Sequence, residues 1–346
     1  MISSIASIKY RFLVIAVYLS NKHNTLPIHL QAGIPRPSSA LLQLTRTMST
    51  TTTQQHTPMQ TAPWKPLFAS HLEKIGGSSA EFTFATVTAE GLPRVRTCIH
   101  RSFWGTIPEN PYNKLKKNPT IFESDCPVFT TDARMHKVYD VFATGRGKGD
   151  LDHSRSGTGG GGPVEAVYWV KDTGSQWRIR GKCWFIAADD VEGDRQQNPG
   201  TVTAKSQVGR YMRPTKGNEA GDKSDWSWKL EVENQFENLS PMMRGSFKNP
   251  EPGRPITEPV ENPEEKLGQT AGHLEDEELA RKNFRVAVIT PEEVEQVDLS
   301  NLAEAKRWVW TLSKESGGPG EVSGANADGE GNSRSVGEWR MVETWP

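Results

Sequence analysis

The sequence predicts a mainly β fold, an antiparallel barrel with a few flanking helices. Three observations predict it. Phe82–Thr88, Pro93–Arg101 and Gln176–Ile186 alternate with a period of two, as strands with one buried face do. The 346 residues include 11 tryptophans, several of them in predicted strands, where aromatic packing suits a β-rich core. Helical periodicity is confined to short stretches, so about seven or eight strands outweigh the helices.

Along the chain, Ala62–Phe68 opens the fold, and a short helix through Leu72 and Ile75 stops at Gly76-Gly77. Phe82–Thr88 and Pro93–Arg101, joined by Glu90-Gly91, form a hairpin. In its second strand Arg94, Arg96, Cys98 and His100 share one face, and Val95, Thr97 and Ile99 the other. Residues 105–120, with prolines and a lysine cluster, read as a loop or irregular helix. Val128–Thr131 is the next strand. Asp132 is the expected N-cap of a helix whose Met135, Val138, Tyr139 and Phe142 make a buried stripe.

The glycine-rich stretch 145–162 reads as a surface loop. Its GxG strings follow no apolar strand, which rules against a dinucleotide fingerprint. Val164–Val170 turns through Asp172–Ser175 into Gln176–Ile186, where Trp177, Ile179, Cys183 and Phe185 oppose Gln176, Arg178, Arg180 and Lys182. Residues 187–224 read as a polar, mobile insertion. Trp226–Leu239 reads as a helix ended by Ser240-Pro241, and 248–272 as an excursion rich in Pro, Glu and Gly. Glu275–Lys282 gives a helical turn or two. Asn283–Thr290, Val294–Leu299, Lys306–Leu312 and Glu338–Trp345 close the fold as four segments, mostly strands, and 316–335 is another low-complexity loop. The expected organisation is a leader, 1–60, and one domain, 61–346, with loop insertions at about 145–162, 187–224, 248–272 and 316–335.

Composition narrows the function. With 41 basic and 42 acidic residues there is no global field favouring nucleic acid or an acidic membrane. The longest apolar run, Phe12–Leu19, is too short to span a bilayer. Cys98, Cys126 and Cys183 are odd in number and form no CxxC pair, which argues against a disulfide framework or structural zinc and for a reducing compartment. The histidines lack metal-ligand spacing, so no metal is expected. The first acidic residue is Glu73, and before it stand Lys9, Arg11, Lys22, Arg36, Arg46 and Lys65 among many hydroxyls. Three readings of this leader stand: a mitochondrial presequence, a poor secretory signal with Lys9 and Arg11 before Phe12–Leu19, or an extension outside the fold with Met48 as the working start and a cytoplasmic protein.

The chemistry concentrates between Phe82 and Lys137. Strands there deliver hydroxyls and cationic side chains to the start of a helix, a physical recipe for holding a phosphate. Arg96, Arg134, His136 and Lys137 supply charge, and Thr130 and Thr131 supply hydroxyls. The competing reading is a solvated basic patch. Arg101 falls on the face opposite Arg96 unless a bulge intervenes, which favours Arg96 as the ligand. Cys98 reads as packing, and Trp308, Trp310, Trp339 and Trp345 as core or interface.

Ordered motifs carry a resemblance. Phe84-Ala85-Thr86-Val87, Gly91-x-Pro93-x-x-Arg96-Thr97, Phe129-x-Thr131-Asp132-x-Arg134-x-x-Lys137, Gln176-x-Arg178-Ile179-x-Gly181, Leu239-Ser240-Pro241-x-x-Arg244 and the terminal Trp-Pro after Glu338-Trp339 resemble the pyridoxamine 5'-phosphate oxidase-like flavoproteins. The nearest branch is the FMN-binding one of fungi, plants and cyanobacteria. The resemblance implies an FMN-binding split β-barrel (a Greek-key antiparallel barrel) that forms a homodimer with FMN at the interface. It implies cofactor-binding roles for Arg96, Thr97, Arg101, Thr130, Thr131, Arg134, His136, Lys137 and Gln176, with Arg101 in place of a lysine and Gln176 hydrogen-bonding the flavin. Met135 replaces the usual serine. The C-terminal Arg-x-His element that holds the vitamin phosphate has no match near Lys306–Trp308. The functional expectation is an FMN-dependent oxidoreductase with its substrate open. The alternatives are a non-catalytic barrel holding FMN or haem, and a scaffold whose long loops carry the function.

Overall fold

The computed structural model describes residues 59–145, 157–192, 198–218, 225–313 and 333–346, so nearly all of the leader and most of the 316–335 loop lie outside the described residues. In chain order the elements are α1 (Lys65–Lys74), β1 (Glu81–Val87), β2 (Pro93–Phe103), β3 (Phe122–Glu123), β4 (Pro127–Asp132), α2 (His136–Thr144), β5 (Gly159–Val170) and β6 (Ser175–Ile186). There follow α3 (Pro199–Gly209), β7 (Arg213–Pro214), α4 (Trp228–Glu237), α5 (Pro241–Gly245), α6 (Glu278–Asn283), β8 (Phe284–Asp298), β9 (Lys306–Leu312), β10 (Ser333–Val336) and β11 (Trp339–Thr344).

The main sheet is antiparallel and nine-stranded, in the order β10-β11-β9-β8-β4-β2-β1-β5-β6, and β6 pairs back onto β8. That pairing closes a six-stranded barrel, with β9, β11 and β10 extending from β8. The mainly β, split-barrel expectation therefore holds. Alternation explains the closure. Phe82, Phe84, Phe129, Tyr168, Trp177 and Ile179 all point inward and are buried together. Phe82 stacks on Tyr168 at 4.8 Å between ring centroids. A second core lies outside the barrel wall, where Val128, Trp184, Val286 and Val288 meet Val208 of α3 and Phe236 of α4.

Several expectations need correction. Pro291 does not divide two strands. Phe284–Asp298 is one strand, and Pro291 lies at a register shift opposite Arg180 and Gly181, where the missing N–H costs no ladder bond. Gly159–Gly162 are not loop but the first residues of β5. Glycine is needed there for space. A Cβ on Gly161, at φ +85°, would lie 2.5 Å from the Trp184 ring, and one on Gly162 would run into Val141 O and Thr144 Oγ1. The 187–224 insertion contains α3, capped by Asn198 accepting from Thr201 N, and the short β7–β3 pairing. Asp132 is not the N-cap of α2. Met135 occupies that position, without a side-chain cap bond.

Two buried polar clusters fix the elements outside the barrel. Asp125 takes both guanidinium donors of Arg213, at 2.7 and 2.8 Å, and the amide of Ala62 at 2.9 Å. This ties the opening segment, the β3–β4 turn and β7 together. On α4, Glu231 is fully buried and accepts from Gly105 N and Asn118 Nδ2, both at 3.0 Å. Burial pushes its carboxyl up to about 7, against those two hydrogen bonds.

Two outcomes are expected. Asp125→Ala, which leaves the buried Arg213 only the half-exposed Glu123 at 2.8 Å as a carboxylate partner, should cost up to about 3–5 kcal/mol in denaturant unfolding. The folded-state pKa of Glu231 lies above its unfolded value, so the native state holds the extra proton. Stability should then fall as pH rises from about 4.5 through 7, by up to roughly 3 kcal/mol. Glu231→Gln should flatten that decline, as read from unfolding curves at pH 5 and pH 8.

Candidate functional site

The faces of β2 decide where the chemistry sits. Cys98, His100 and Ser102 turn inward and are buried. His100 contacts the Tyr168 hydroxyl at 3.4 Å, and complete burial lowers its pKa to about 3, so it is neutral at physiological pH. Thr97, Ile99 and Arg101 turn outward onto a cavity of about 450 Å³. Thr130 and Thr131 of β4 and Lys137 of α2 line the same cavity. Its other wall is apolar, built from Leu239, Met243, Phe247, Pro250 and Leu267. A register shift between His100 and Ser102 places Arg101 at a bulge in the β2–β4 pair. The sequence-based preference for Arg96 over Arg101 is therefore corrected: both face ligand-sized space, but in different cavities.

Arg96 lines an adjoining cavity of about 420 Å³ with Arg94, Val95, His136, Lys137 and Gly253. No carboxylate belongs to that lining. Arg96 donates to Thr86 Oγ1 at 2.8 Å and lies 3.6 Å from Asp140 at the barrel mouth. Burial lowers its pKa, and Asp140 partly offsets the effect. Thr86 also donates to Asp140 at 2.7 Å, which holds the carboxylate on the barrel side.

Lys137 stands where the two cavities join. It is buried, and its ammonium reaches Thr131 Oγ1 at 3.1 Å and Met135 Sδ at 2.7 Å. Among the described residues no carboxylate lies within ion-pair distance of Lys137, Arg101, Arg94 or His136. Burial lowers the pKa of Lys137 and of Arg101. The buried Nε of Arg101 has no hydrogen-bond partner. Cationic groups left this way at a cavity wall are prepared for an anion from outside the chain.

Arg134 is different. Asp132 takes its Nε at 3.0 Å and its Nη2 at 2.7 Å, and Glu265 takes its Nη1 at 3.1 Å. Burial works against its charge, but these carboxylates outweigh burial and raise its pKa. Its expected place among the phosphate ligands is corrected: its charge is already neutralised within the chain. Gln176 is also apart. It begins β6, paired with Trp169, and β6 lies three strands round the barrel from β2 in either direction. It lines neither cavity. Arg307, near the missing Arg-x-His element, donates to Glu295 at 2.6 Å.

The apolar wall was not foreseen as part of the site. Leu239 and Arg244 had marked that region only as a motif. Arg244 proves to be a buried brace, with Nη1 2.9 Å from Glu237 and donors to the carbonyls of Leu239, Gly272 and Tyr112. The described residues contain no cluster of three or more His, Cys, Asp or Glu able to hold a metal, and no helix long and apolar enough to cross a membrane.

The chain is similar to several known proteins. Residues 61–187 match the family described as pyridoxamine 5'-phosphate oxidase, FMN-binding domain. An uncharacterized protein of Saccharomyces cerevisiae is 22% identical over 299 residues, covering 72% of this chain and 93% of its own length. A pyridoxamine 5'-phosphate oxidase-related, FMN-binding protein from Nostoc punctiforme has a TM-score of 0.46 at 17% identity, covering 83% of this chain and 100% of that one. PhzG from Burkholderia lata, solved with tetrahydrophenazine-1-carboxylic acid, has a TM-score of 0.37 at 11% identity, covering 81% and 88%.

An unneutralised buried cation is a burden on the ligand-free protein. Lys137→Met should therefore raise its stability by about 1 kcal/mol in urea unfolding. A loss of stability would mean that the ammonium is already compensated.

Proposed function

We propose, from the match of residues 61–187 to the pyridoxamine 5'-phosphate oxidase FMN-binding domain family, that the chain binds FMN and works as an FMN-dependent oxidoreductase. The observation that carries this reading is Lys137, buried without a carboxylate partner where a cationic cavity meets a larger, half-apolar one. The donor set suits a phosphate monoester, which carries nearly two negative charges near neutral pH. Arg94, Arg96, His136 and Lys137 would hold it. Charge-assisted contacts of about 1.5–3 kcal/mol each would give micromolar or tighter binding after association costs. Thr97, Arg101, Thr130 and Thr131 would meet the polar parts of the remainder.

When bound, FMN supplies hydride chemistry. The chain's part is to grip the charge, orient the cofactor from the β2–β4 wall, and exclude water with Leu239, Phe247 and Pro250. Exclusion of water strengthens every charge contact in the cavity.

The reading includes a homodimer. The outer face of β1, β2 and β5 carries Val95, Thr83, Val167 and Trp169, with Val95 68% and Trp169 51% exposed. It leads from the cavity-lining Thr97 to Trp169, beside Gln176. A second copy on this face would bring its own Gln176 towards a cavity that the first copy's Gln176 cannot reach.

FMN titrated into the purified protein should perturb the flavin absorption spectrum with a dissociation constant of micromolar or below, and Lys137→Ala should weaken binding by about tenfold or more. An unchanged spectrum and melting temperature at millimolar FMN would reject the reading. Bound FMN that no reduced nicotinamide or amine donor ever reduces would leave a binding module in place of an enzyme. Trp169→Glu should convert a dimer to monomer in light scattering and weaken FMN binding with it.

A further inference from the structure

We infer that Arg134 is a positioning residue, a latch that fixes the 248–272 segment as the movable wall of the ligand cavity. The inference rests on the FMN reading for the identity of the ligand, but its structural part stands on its own. Arg134 follows β4 directly and reaches both ends of the segment. Its Nη2 donates to the carbonyl of Asn249 at 2.9 Å, and its Nη1 to Glu265 at 3.1 Å. Asp132 takes the Nε–Nη2 edge of the same guanidinium with both carboxylate oxygens and also accepts the Arg134 amide at 2.8 Å, so the arginine has one orientation.

The latched segment supplies what the barrel lacks. Asn249, Pro250, Pro252 and Leu267 line the larger cavity, and Pro252 and Gly253 line the cationic one. The segment has little regular structure of its own after Lys248 and before Leu274. Its exposed apolar residues, Ile256 at 99% and Leu267 at 77%, add little burial energy to hold it down. Its base is tied to the fold by Lys248, paired with Glu277 at 2.8 Å, by Arg244, donating to the carbonyl of Gly272 at 2.8 Å, and by the Ala271 amide, donating to the carbonyl of Pro241 at 3.0 Å. Arg134 joins both parts of it to the β4–α2 turn that lies between Thr131 and Lys137. Without that join the wall opens and the cavity loses one side, whatever the charge of the ligand.

A latch and a phosphate ligand give opposite results when FMN is compared with riboflavin, which lacks the phosphate. Affinities of both are measured for the wild type, Arg134→Met, Glu265→Gln and Lys137→Ala. The latch predicts that Arg134→Met weakens both flavins by the same factor, about tenfold to a hundredfold. Glu265→Gln should weaken both in the same direction, and the double variant should be no worse than Arg134→Met. Lys137→Ala should selectively weaken FMN. Loss of FMN affinity in Arg134→Met with riboflavin binding unchanged would overturn the latch and make Arg134 a phosphate ligand.

A second measurement needs no flavin. Trypsin cleavage at the exposed Lys266–Leu267 bond, measured well below the melting temperature of each protein, should be faster in Arg134→Met and Glu265→Gln than in the wild type. Equal cleavage rates would overturn the latch. If the wild type binds neither flavin, the FMN reading fails while the proteolysis result still decides the latch.

Discussion

One strand serves both the closed barrel and the strands that extend from it, and the site depends on it. The first half of β8 pairs with β4 on one side and β6 on the other, which closes the barrel. Its second half keeps β6 and exchanges β4 for β9. β4 runs antiparallel to β8, so its last residue, Asp132, pairs with Phe284 at the very start of β8, and beyond that pair the chain turns, through Met135, into α2. That turn delivers Lys137 to the outer face of the barrel beside Arg101. Pro291 lies within β8 close to this exchange. A residue unable to donate to the ladder is tolerated at such an irregularity and would disrupt a regular one.

The barrel interior and the cavity divide the polar groups between them. Asp140, Thr86 and part of Arg96 form a closed cluster at the mouth of the barrel. Asp132 and Glu265 are consumed by Arg134. Acids near the site are thus engaged with partners of their own, which leaves Lys137 and Arg101 facing the cavity without counter-charge. Positive charge at this wall comes from that partition, since the whole chain is nearly neutral, with a formal net charge of -1.

Much of the strand order was legible because alternation reports directly which face is buried. Lys306–Leu312 is the strand expected from its pattern, and the hairpin of β1 and β2 appears within a residue or two. Sequence failed where the deciding partner is remote. Nothing local to Arg134 announces Glu265, 131 residues away in sequence. Nothing local to Gly159–Gly162 announces the Trp184 ring and the α2 carbonyl that exclude side chains there. The inward face of β2 was legible as a face. Which face met the core and which met a ligand was not, because the cationic Arg94 and Arg96 suggested solvent for a side that Cys98 and His100 bury. The apolar wall was missed for a similar reason. Pro250 and Leu267 belong to a segment whose composition reads as loop, and Leu239, Met243 and Phe247 come from the end of α4, α5 and the turn after it, where nothing local announces a cavity.

The account's central claim is that cations left uncompensated by the fold receive a dianionic phosphate. The most direct test is the phosphorus-31 resonance of FMN in the presence of the protein, followed with pH. The second ionisation of a free phosphate monoester falls near pH 6, by about the usual value. The account predicts that bound FMN stays dianionic well below that, with its resonance unchanged until the complex dissociates or unfolds. A phosphate that titrates in the complex as it does in water would contradict the account.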